Sequence, residues 1–125
     1  MPRVKPLQAA LMATPDETEA QFYEALQHAD LERVMSVWSD DEDIACIHPG
    51  GPRLVGAQAI RSAFESLFAN GSVDARVSQV RRIVAGGFAV HHVLEEIRVA
   101  TPEGPQRAYV LATNIFVKTP QGWRL

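Results

Sequence analysis

The hydrophobic pattern of this chain changes from helical to extended near Val73. Before that point, apolar residues recur at the spacing of amphipathic helices, whereas after it three long extended runs follow one another. Gly86-Gly87 and residues 101–105, which are rich in proline and glycine, separate these runs as turns. Helices gathered first and an antiparallel meander after them are typical of an α+β domain whose helices cover one face of a curved sheet.

Three helices are predicted in the first half of the chain. The first begins at Pro15, because Thr14 can cap it and Glu17 completes a capping box. The second follows Asp30, another capping residue, and the third covers about residues 57–69.

A short strand is predicted to end at His48, directly before a loop of proline and glycine at 49–52. The later strands are predicted at 73–85, 88–100 and 107–118, with a further one beginning at Trp123. Several of these runs are apolar on both faces. We therefore expect the outer face of the sheet to be covered, most simply by the second subunit of a homodimer.

Length and composition favour one packed domain. The chain has 125 residues, of which 46% are hydrophobic and 22% are charged. We place the domain at residues 14–125 and treat residues 1–13 as an N-terminal arm.

Charge and cysteine content limit which partners and which cellular location are expected. The formal net charge is -3 and the basic residues form no run, so nucleic acid is not an expected partner. No segment approaches the ~20 apolar residues of a membrane span, so no membrane partner is expected. Cys46 is the single cysteine and cannot form an internal disulfide, which suits a cytoplasmic location.

Six short segments carry a family resemblance through their order and spacing. They are residues 25–31, 37–41, 47–49, 56–60, 113–117 and 122–125. Together they resemble the ketosteroid isomerase and nuclear transport factor two superfamily, and most of all its SnoaL-like branch.

This resemblance implies a cone-shaped fold. In that fold a curved antiparallel sheet carries three helices of the N-terminal half on its concave face, and an apolar pocket opens at the wide end, usually in homodimers. Members include isomerases, cyclases, dehydratases, epoxide hydrolases and non-catalytic binders, so the fold alone does not determine the function.

The resemblance also implies which residues of this chain fall at the functional positions of the isomerases. His48 falls where the isomerases place the aspartate that moves the proton, and Asn114 falls where they place the protonated aspartate of the oxyanion hole. Phe22 falls where they place a tyrosine, but it has no hydroxyl. Because an amide is also a weaker donor than a carboxylic acid, steroid isomerisation itself is not the expected reaction.

His48 and Asn114 are candidate catalytic residues on their own chemistry too. The ordinary pKa of histidine suits a general base, although a histidine beside a turn can also simply hydrogen-bond its loop. Asn114 is the polar residue on an otherwise apolar strand face, where it either orients a substrate carbonyl or bridges strands.

Glu95 is the third candidate. Strand alternation places His91 and Glu95 on one face and His92 and Glu96 on the other. We favour Glu95 for the cavity, because related SnoaL-like sequences resemble this one in a carboxylate there. It would hold His48 in one tautomer or act as a base itself, and the alternative is a solvated sheet face.

Large aromatic residues are the candidates for the pocket wall, and core packing is the alternative for each of them. The predicted substrate-binding set is Phe22, Trp38, Tyr109, Phe116 and Trp123. Cys46 and His48 share a strand face, but a metal site needs at least a third ligand, so no metal is expected. No cofactor is expected either, since the chain has no phosphate loop, nucleophile elbow or dinucleotide fingerprint.

The leading hypothesis is a pocket for a small hydrophobic molecule, with proton transfer on a carbonyl compound. In it His48 is the general base, Glu95 orients His48, and Asn114 donates to the developing oxyanion. The alternatives are a ligand-binding module without catalysis and a dimerisation domain of the same fold.

Overall fold

The structure, a computed structural model that describes residues 12–125, contains the three helices expected from the sequence. They are α1 (Pro15–Gln27), α2 (Leu31–Ser36) and α3 (Ala57–Phe68). Oγ1 of Thr14 caps α1 by accepting a hydrogen bond from the backbone N–H of Glu17 at 3.1 Å. Asp30 caps α2 in the same way through the N–H of Arg33.

The strands form two antiparallel sheets within the described residues. The small sheet pairs β1 (Ala45–Ile47) with β2 (Arg53–Val55), and the large sheet has the order β3 (Asp74–Val84), β4 (Phe88–Thr101), β5 (Gly104–Thr119) and β6 (Gly122–Arg124). The sequence analysis did not predict β2, because three residues are too few to show a period. The four-stranded meander agrees with the prediction.

The large sheet is curved, and its concave face carries the helices. A register shift between Ser78 and Arg81 marks a bulge in β3, where Gln79 adopts a φ of 52°. A bulge bends its strand and increases the local twist. The predicted fold class, an α+β domain with three helices packed on a curved antiparallel sheet, is therefore confirmed.

The predicted N-terminal arm, residues 1–13, lies outside the described residues except for Met12 and Ala13. Met12 is buried in the core, and its carbonyl accepts a hydrogen bond from the N–H of Trp123 at 2.8 Å. Gly122 has a φ of 105°, and a Cβ on it would lie 2.7 Å from the oxygen of Met12. A side chain at position 122 would therefore push Met12 away from β6.

The two faces of the sheet differ in burial. On the concave side, α1 and α3 pack with the sheet around a core that includes Phe22, Phe64 and Ala75. On the outer face, Leu111 is 84% exposed and Tyr109 is 60% exposed. Within residues 12–125, no helix is long and apolar enough to cross a membrane.

Candidate functional site

A cavity of about 1190 Å³ lies between the helices and the concave face of the sheet. Apolar side chains make most of its wall, among them Phe22, Leu26, Trp38, Phe64, Val73 and Ile97. His48, which directly follows β1, lines this same cavity together with Glu95 on β4 and Asn114 on β5. The three residues that the sequence singled out are thus brought to one place.

Tyr23 connects two of these residues and was missed by the sequence analysis. Its hydroxyl donates to Oε2 of Glu95 at 2.6 Å and accepts a hydrogen bond from Nδ2 of Asn114 at 3.1 Å. Burial, followed by the charge of Glu95, raises the pKa of Tyr23 well above its ordinary value. Tyr23 therefore stays protonated, and its hydroxyl lies one residue after Phe22, the position where the resemblance implies a tyrosine.

Asn114 has both amide hydrogens engaged. Nδ2 donates to Oε2 of Glu19 at 3.0 Å as well as to Tyr23. The reverse orientation of the amide would point its oxygen at the carboxylate of Glu19, which only accepts hydrogen bonds when ionised. Asn114 thus holds Tyr23 in position and does not present a free donor to the cavity, which revises the direct role expected for it.

Glu19 and His91 form a buried pair beneath the cavity. Nδ1 of His91 lies 3.0 Å from Oε2 of Glu19, and their side chains are 0% and 8% exposed. Nε2 of His91 has no hydrogen-bond partner among the described residues and lies 3.6 Å from Asp16, which pairs with Arg82. A line of polar contacts therefore runs from the surface to Asn114.

The signal for Glu19 and Tyr23 was present in the sequence. The two residues are four apart in α1 and share a helix face. Both are buried in the structure. A buried glutamate beside a tyrosine on one face requires polar partners, and Asn114 and His91 are those partners.

His48 lies against Phe64, with ring centroids 5.0 Å apart in an edge-on arrangement. Its Nε2 is enclosed and has no hydrogen-bond partner among the described residues. Burial lowers the pKa of His48 below the ordinary 6.5, and the charge of Glu95 opposes this effect. His48 is therefore neutral at pH 7, as a general base must be.

Glu95 does not orient His48 through a hydrogen bond, which corrects that expectation. Its side chain is instead bonded to Tyr23, because α1 brings the phenol within 2.6 Å of the carboxylate. Its charge nevertheless acts on neighbouring groups. Burial, together with that charge, raises the pKa of the Cys46 thiol to about 11.

The predicted aromatic wall is only partly correct. Phe22 and Trp38 do line the cavity, with ring centroids 6.3 Å apart. Tyr109 does not, because strand alternation turns it to the outer face. Phe116 and Trp123 are buried with Ala89 in a separate core cluster under β6, and neither lines the cavity.

Residues 12–125 contain no group of three or more His, Cys, Asp or Glu side chains placed to hold a metal ion. Cys46 and His48 both line the cavity, but no third ligand joins them there.

A helix-covered, curved antiparallel sheet that encloses a cavity defines the nuclear transport factor two-like class. Residues 16–125 match the SnoaL-like domain, and the chain belongs to that family. No curated protein matches the sequence.

Two solved structures are similar to this chain in both sequence and fold. A Thiobacillus denitrificans protein, provisionally assigned as a calcium/calmodulin-dependent protein kinase type II association domain, is 31% identical with a TM-score of 0.81. That alignment covers 91% of this chain and 90% of the other. A Streptomyces avermitilis protein of the nuclear transport factor two-like family, provisionally assigned as a dehydratase, is 26% identical over 96% of this chain and 93% of its own, with a TM-score of 0.78.

A more distant structure shares the fold alone. The kinase hub of S. rosetta is 20% identical, with a TM-score of 0.68 over 99% of this chain and 93% of the other. Domains of this fold thus include both a provisionally assigned dehydratase and a kinase hub.

Proposed function

We propose that the cavity binds a small hydrophobic molecule that carries a carbonyl group, and that the protein transfers a proton on it. The observation that carries this proposal is the pair of cavity-lining residues Glu95 and Asn114, which the buried hydroxyl of Tyr23 joins, with His48 on the same mostly apolar wall. Pockets of this kind use a few placed polar groups to orient a ligand that apolar contacts retain.

His48 is the proton acceptor in this proposal. Because burial lowers its pKa, it is neutral at pH 7 and can take a proton from the carbon next to the carbonyl. The electron pair of that C–H bond moves onto the carbonyl oxygen and forms an enolate. Where the ligand carries a C=C bond conjugated with the enolate, return of the proton from His48 to the far carbon of that dienolate shifts the double bond and completes an isomerisation.

Tyr23 stabilises the enolate oxygen. Its raised pKa keeps the phenol protonated, so its hydrogen can turn from Glu95 to the ligand oxygen. Asn114 is a positioning residue, since its amide is anchored by Glu19 and bonded to the phenol oxygen. Elimination of water also begins with removal of a proton next to a carbonyl, and the 26% identical relative is provisionally assigned as a dehydratase.

Deuterium exchange tests the proposal directly. In D₂O, wild-type protein is expected to exchange the protons next to the carbonyl of benzylacetone faster than buffer does, as followed by NMR. His48→Gln should abolish the catalysed exchange, and Tyr23→Phe should slow it by about 10²-fold to 10³-fold, as loss of an oxyanion donor does. Tyr109→Phe, on the outer face, is the control and should exchange like wild type. If the ketone binds saturably but its protons do not exchange faster than in buffer, the protein is a ligand-binding module and the catalytic role is rejected.

We also propose that the domain self-associates as a homodimer through the outer face of the sheet. Leu111, Tyr109 and Ile115 are 84%, 60% and 56% exposed there, which is a large apolar surface for a monomer, and Leu111 and Ile115 also border the cavity. The 31% identical relative is provisionally assigned as an association domain, which supports this assignment.

We also propose a cytoplasmic location. The chain has a single cysteine, which cannot form an internal disulfide and therefore suits a reducing compartment.

A further inference from the structure

Two consecutive glutamates on β4 differ sharply in their partners. Glu96 faces outward and pairs with Arg98 at 3.0 Å and with Arg107 at 3.3 Å. Glu95 faces the cavity and forms no ion pair with any residue in 12–125; the phenol of Tyr23 is its side-chain hydrogen-bond partner there. One carboxylate is thus neutralised by two cations, and its neighbour by none.

The cavity itself supplies no counter-charge. No Lys or Arg of the described residues lines it, whereas Asp41 and Asp43 do line it and add negative charge. His48 does not compensate, because burial lowers its pKa and leaves it neutral at pH 7. A carboxylate held against apolar surfaces without a cation is unfavourable, since charges away from bulk water need a partner.

The cavity that Glu95 lines also has aromatic walls. Phe22 is the centre of an aromatic cluster, with its ring 6.3 Å from that of Trp38 and 6.1 Å from that of Phe64. Aromatic faces attract cations through the negative potential over the ring. Cation-binding pockets for organic amines combine these two features, a carboxylate and aromatic faces.

We propose that the ligand of this cavity is an organic cation, a hydrophobic amine whose ammonium group pairs with Glu95. The inference rests on the proposed function, because it names the class of molecule that the same cavity takes. The ammonium and a ligand carbonyl have separate partners: when the hydrogen of Tyr23 turns to the carbonyl, Oε2 of Glu95 is released for the ammonium. The ligand is then an amine that also carries a carbonyl within reach of Tyr23.

Three probes of one skeleton test the charge preference. Phenylbutylamine, phenylbutanol and phenylbutyrate end in an ammonium, a hydroxyl and a carboxylate, and isothermal titration at pH 7 measures their Kd values. Wild-type protein is expected to bind the amine at least about tenfold more tightly than the alcohol, and the alcohol more tightly than the carboxylate. In Glu95→Gln, the amine and the alcohol should bind within about threefold of each other.

Glu96→Gln is the matched control. It removes the same charge from the adjacent position on the opposite face, and the preference for the amine should remain at its wild-type value. Thermal unfolding of both variants, with and without each probe, verifies that the protein tested is folded.

Each other result overturns the inference. If the alcohol binds as tightly as the amine, or if Glu95→Gln keeps the preference, the cation assignment fails while the cavity remains a small-molecule site. If the carboxylate binds best, the sign of the proposed charge is wrong. If none of the three probes binds at millimolar concentration, the inference fails together with the proposed pocket.

Discussion

The hydroxyl of Tyr23 on α1 lies 2.6 Å from Oε2 of Glu95 on β4, and this hydrogen bond ties the first helix to the centre of the sheet. Asn114 donates to the same hydroxyl from the neighbouring strand. A single phenol thus ties α1 to two neighbouring strands, at contacts 72 and 91 residues away from Tyr23 in the chain.

Removal of that hydroxyl should destabilise the domain. Tyr23→Phe leaves the donor of Asn114 and the acceptor of Glu95 without this partner, which typically costs about 1–3 kcal/mol of the free energy of unfolding. Urea denaturation followed by tryptophan fluorescence measures the loss. Tyr109→Phe, whose hydroxyl is exposed and lies 3.4 Å from Glu96, should cost less than about 0.5 kcal/mol. Equal losses in the two variants would contradict the buried network.

The pKa of His48 should be measurable below 6.5 and sensitive to Glu95. Burial disfavours the imidazolium, while the carboxylate of Glu95 favours it, so Glu95→Gln should lower the pKa of His48 further. NMR titration of the histidine ring protons gives the value, with His48→Gln assigning the resonance. An unchanged or higher pKa in Glu95→Gln would place the two side chains too far apart to interact.

The same pKa affects stability at acidic pH. Because the folded-state pKa of His48 lies below the unfolded value, the fold favours the neutral ring. This contribution is fully present above pH 6.5 and is lost as the pH falls through the folded-state pKa. His48→Gln should therefore lose less stability than wild type between pH 7 and 5, as measured by urea denaturation at each pH. An equal loss in both proteins would show that His48 does not contribute.

Cys46 should react slowly with alkylating reagents. Only the thiolate is nucleophilic, and a pKa raised from 9.0 to about 11 lowers the thiolate fraction at pH 8 by about two orders of magnitude. Iodoacetamide labelling followed by mass spectrometry should be faster in Glu95→Gln, which removes the nearby charge, and unchanged in Glu96→Gln. Labelling of the native wild-type protein at the rate of the urea-unfolded chain would contradict this environment.

Trp38 should contribute strongly to stability. It is 8% exposed and packs edge-on against Phe22, so Trp38→Ala should cost about 3 to 5 kcal/mol, or prevent folding. Val99→Ala, at a position that is 49% exposed, is the control and should cost less than about 0.5 kcal/mol. A loss below about 1 kcal/mol for Trp38→Ala in urea denaturation would mean that its packing is peripheral.

Leu111 tests the proposed dimer. At micromolar concentration, light scattering of the wild type should give twice the monomer mass, and Leu111→Lys should give the monomer, because a charge at the centre of an apolar interface is costly to bury. Val55→Lys, on β2 and 49% exposed, should remain dimeric. If the wild type is a monomer at every concentration, the outer face of the sheet is not a dimer interface.

The fold was largely predictable from local sequence signals. Thr14 and Asp30 cap their helices through contacts only three residues long, and such contacts do not depend on the rest of the chain. The turn at Gly86-Gly87 and the alternation along β4 are local in the same sense. The strand β2 escaped prediction because its pairing with β1, rather than its own pattern, defines it.

The site was predictable only in part. Alternation along β4 separated Glu95 from Glu96 but left open which of them faces the cavity, and only the resemblance to SnoaL-like sequences favoured Glu95. Tyr23 lies 72 residues from Glu95 in the chain, and Glu19 lies 95 from Asn114. Whether an amide hydrogen faces a ligand or a carboxylate follows from such distant contacts, which no single segment encodes.

Glu95 and Glu96 point to opposite faces of the sheet, so the register of β4 determines which of the two carboxylates lines the cavity. Insertion or deletion of one residue in the turn at Gly86-Gly87 that shifted β4 by one position would exchange the two carboxylates without changing either side chain. Glu96 and Arg98, which are two residues apart on β4, would then both turn to the concave face, whereas Arg107 on β5 would stay on the outer face beside Glu95. Chain-length changes in that turn should therefore bring a cation onto the concave face together with the exchanged carboxylate, an effect that no comparison of residue types would reveal.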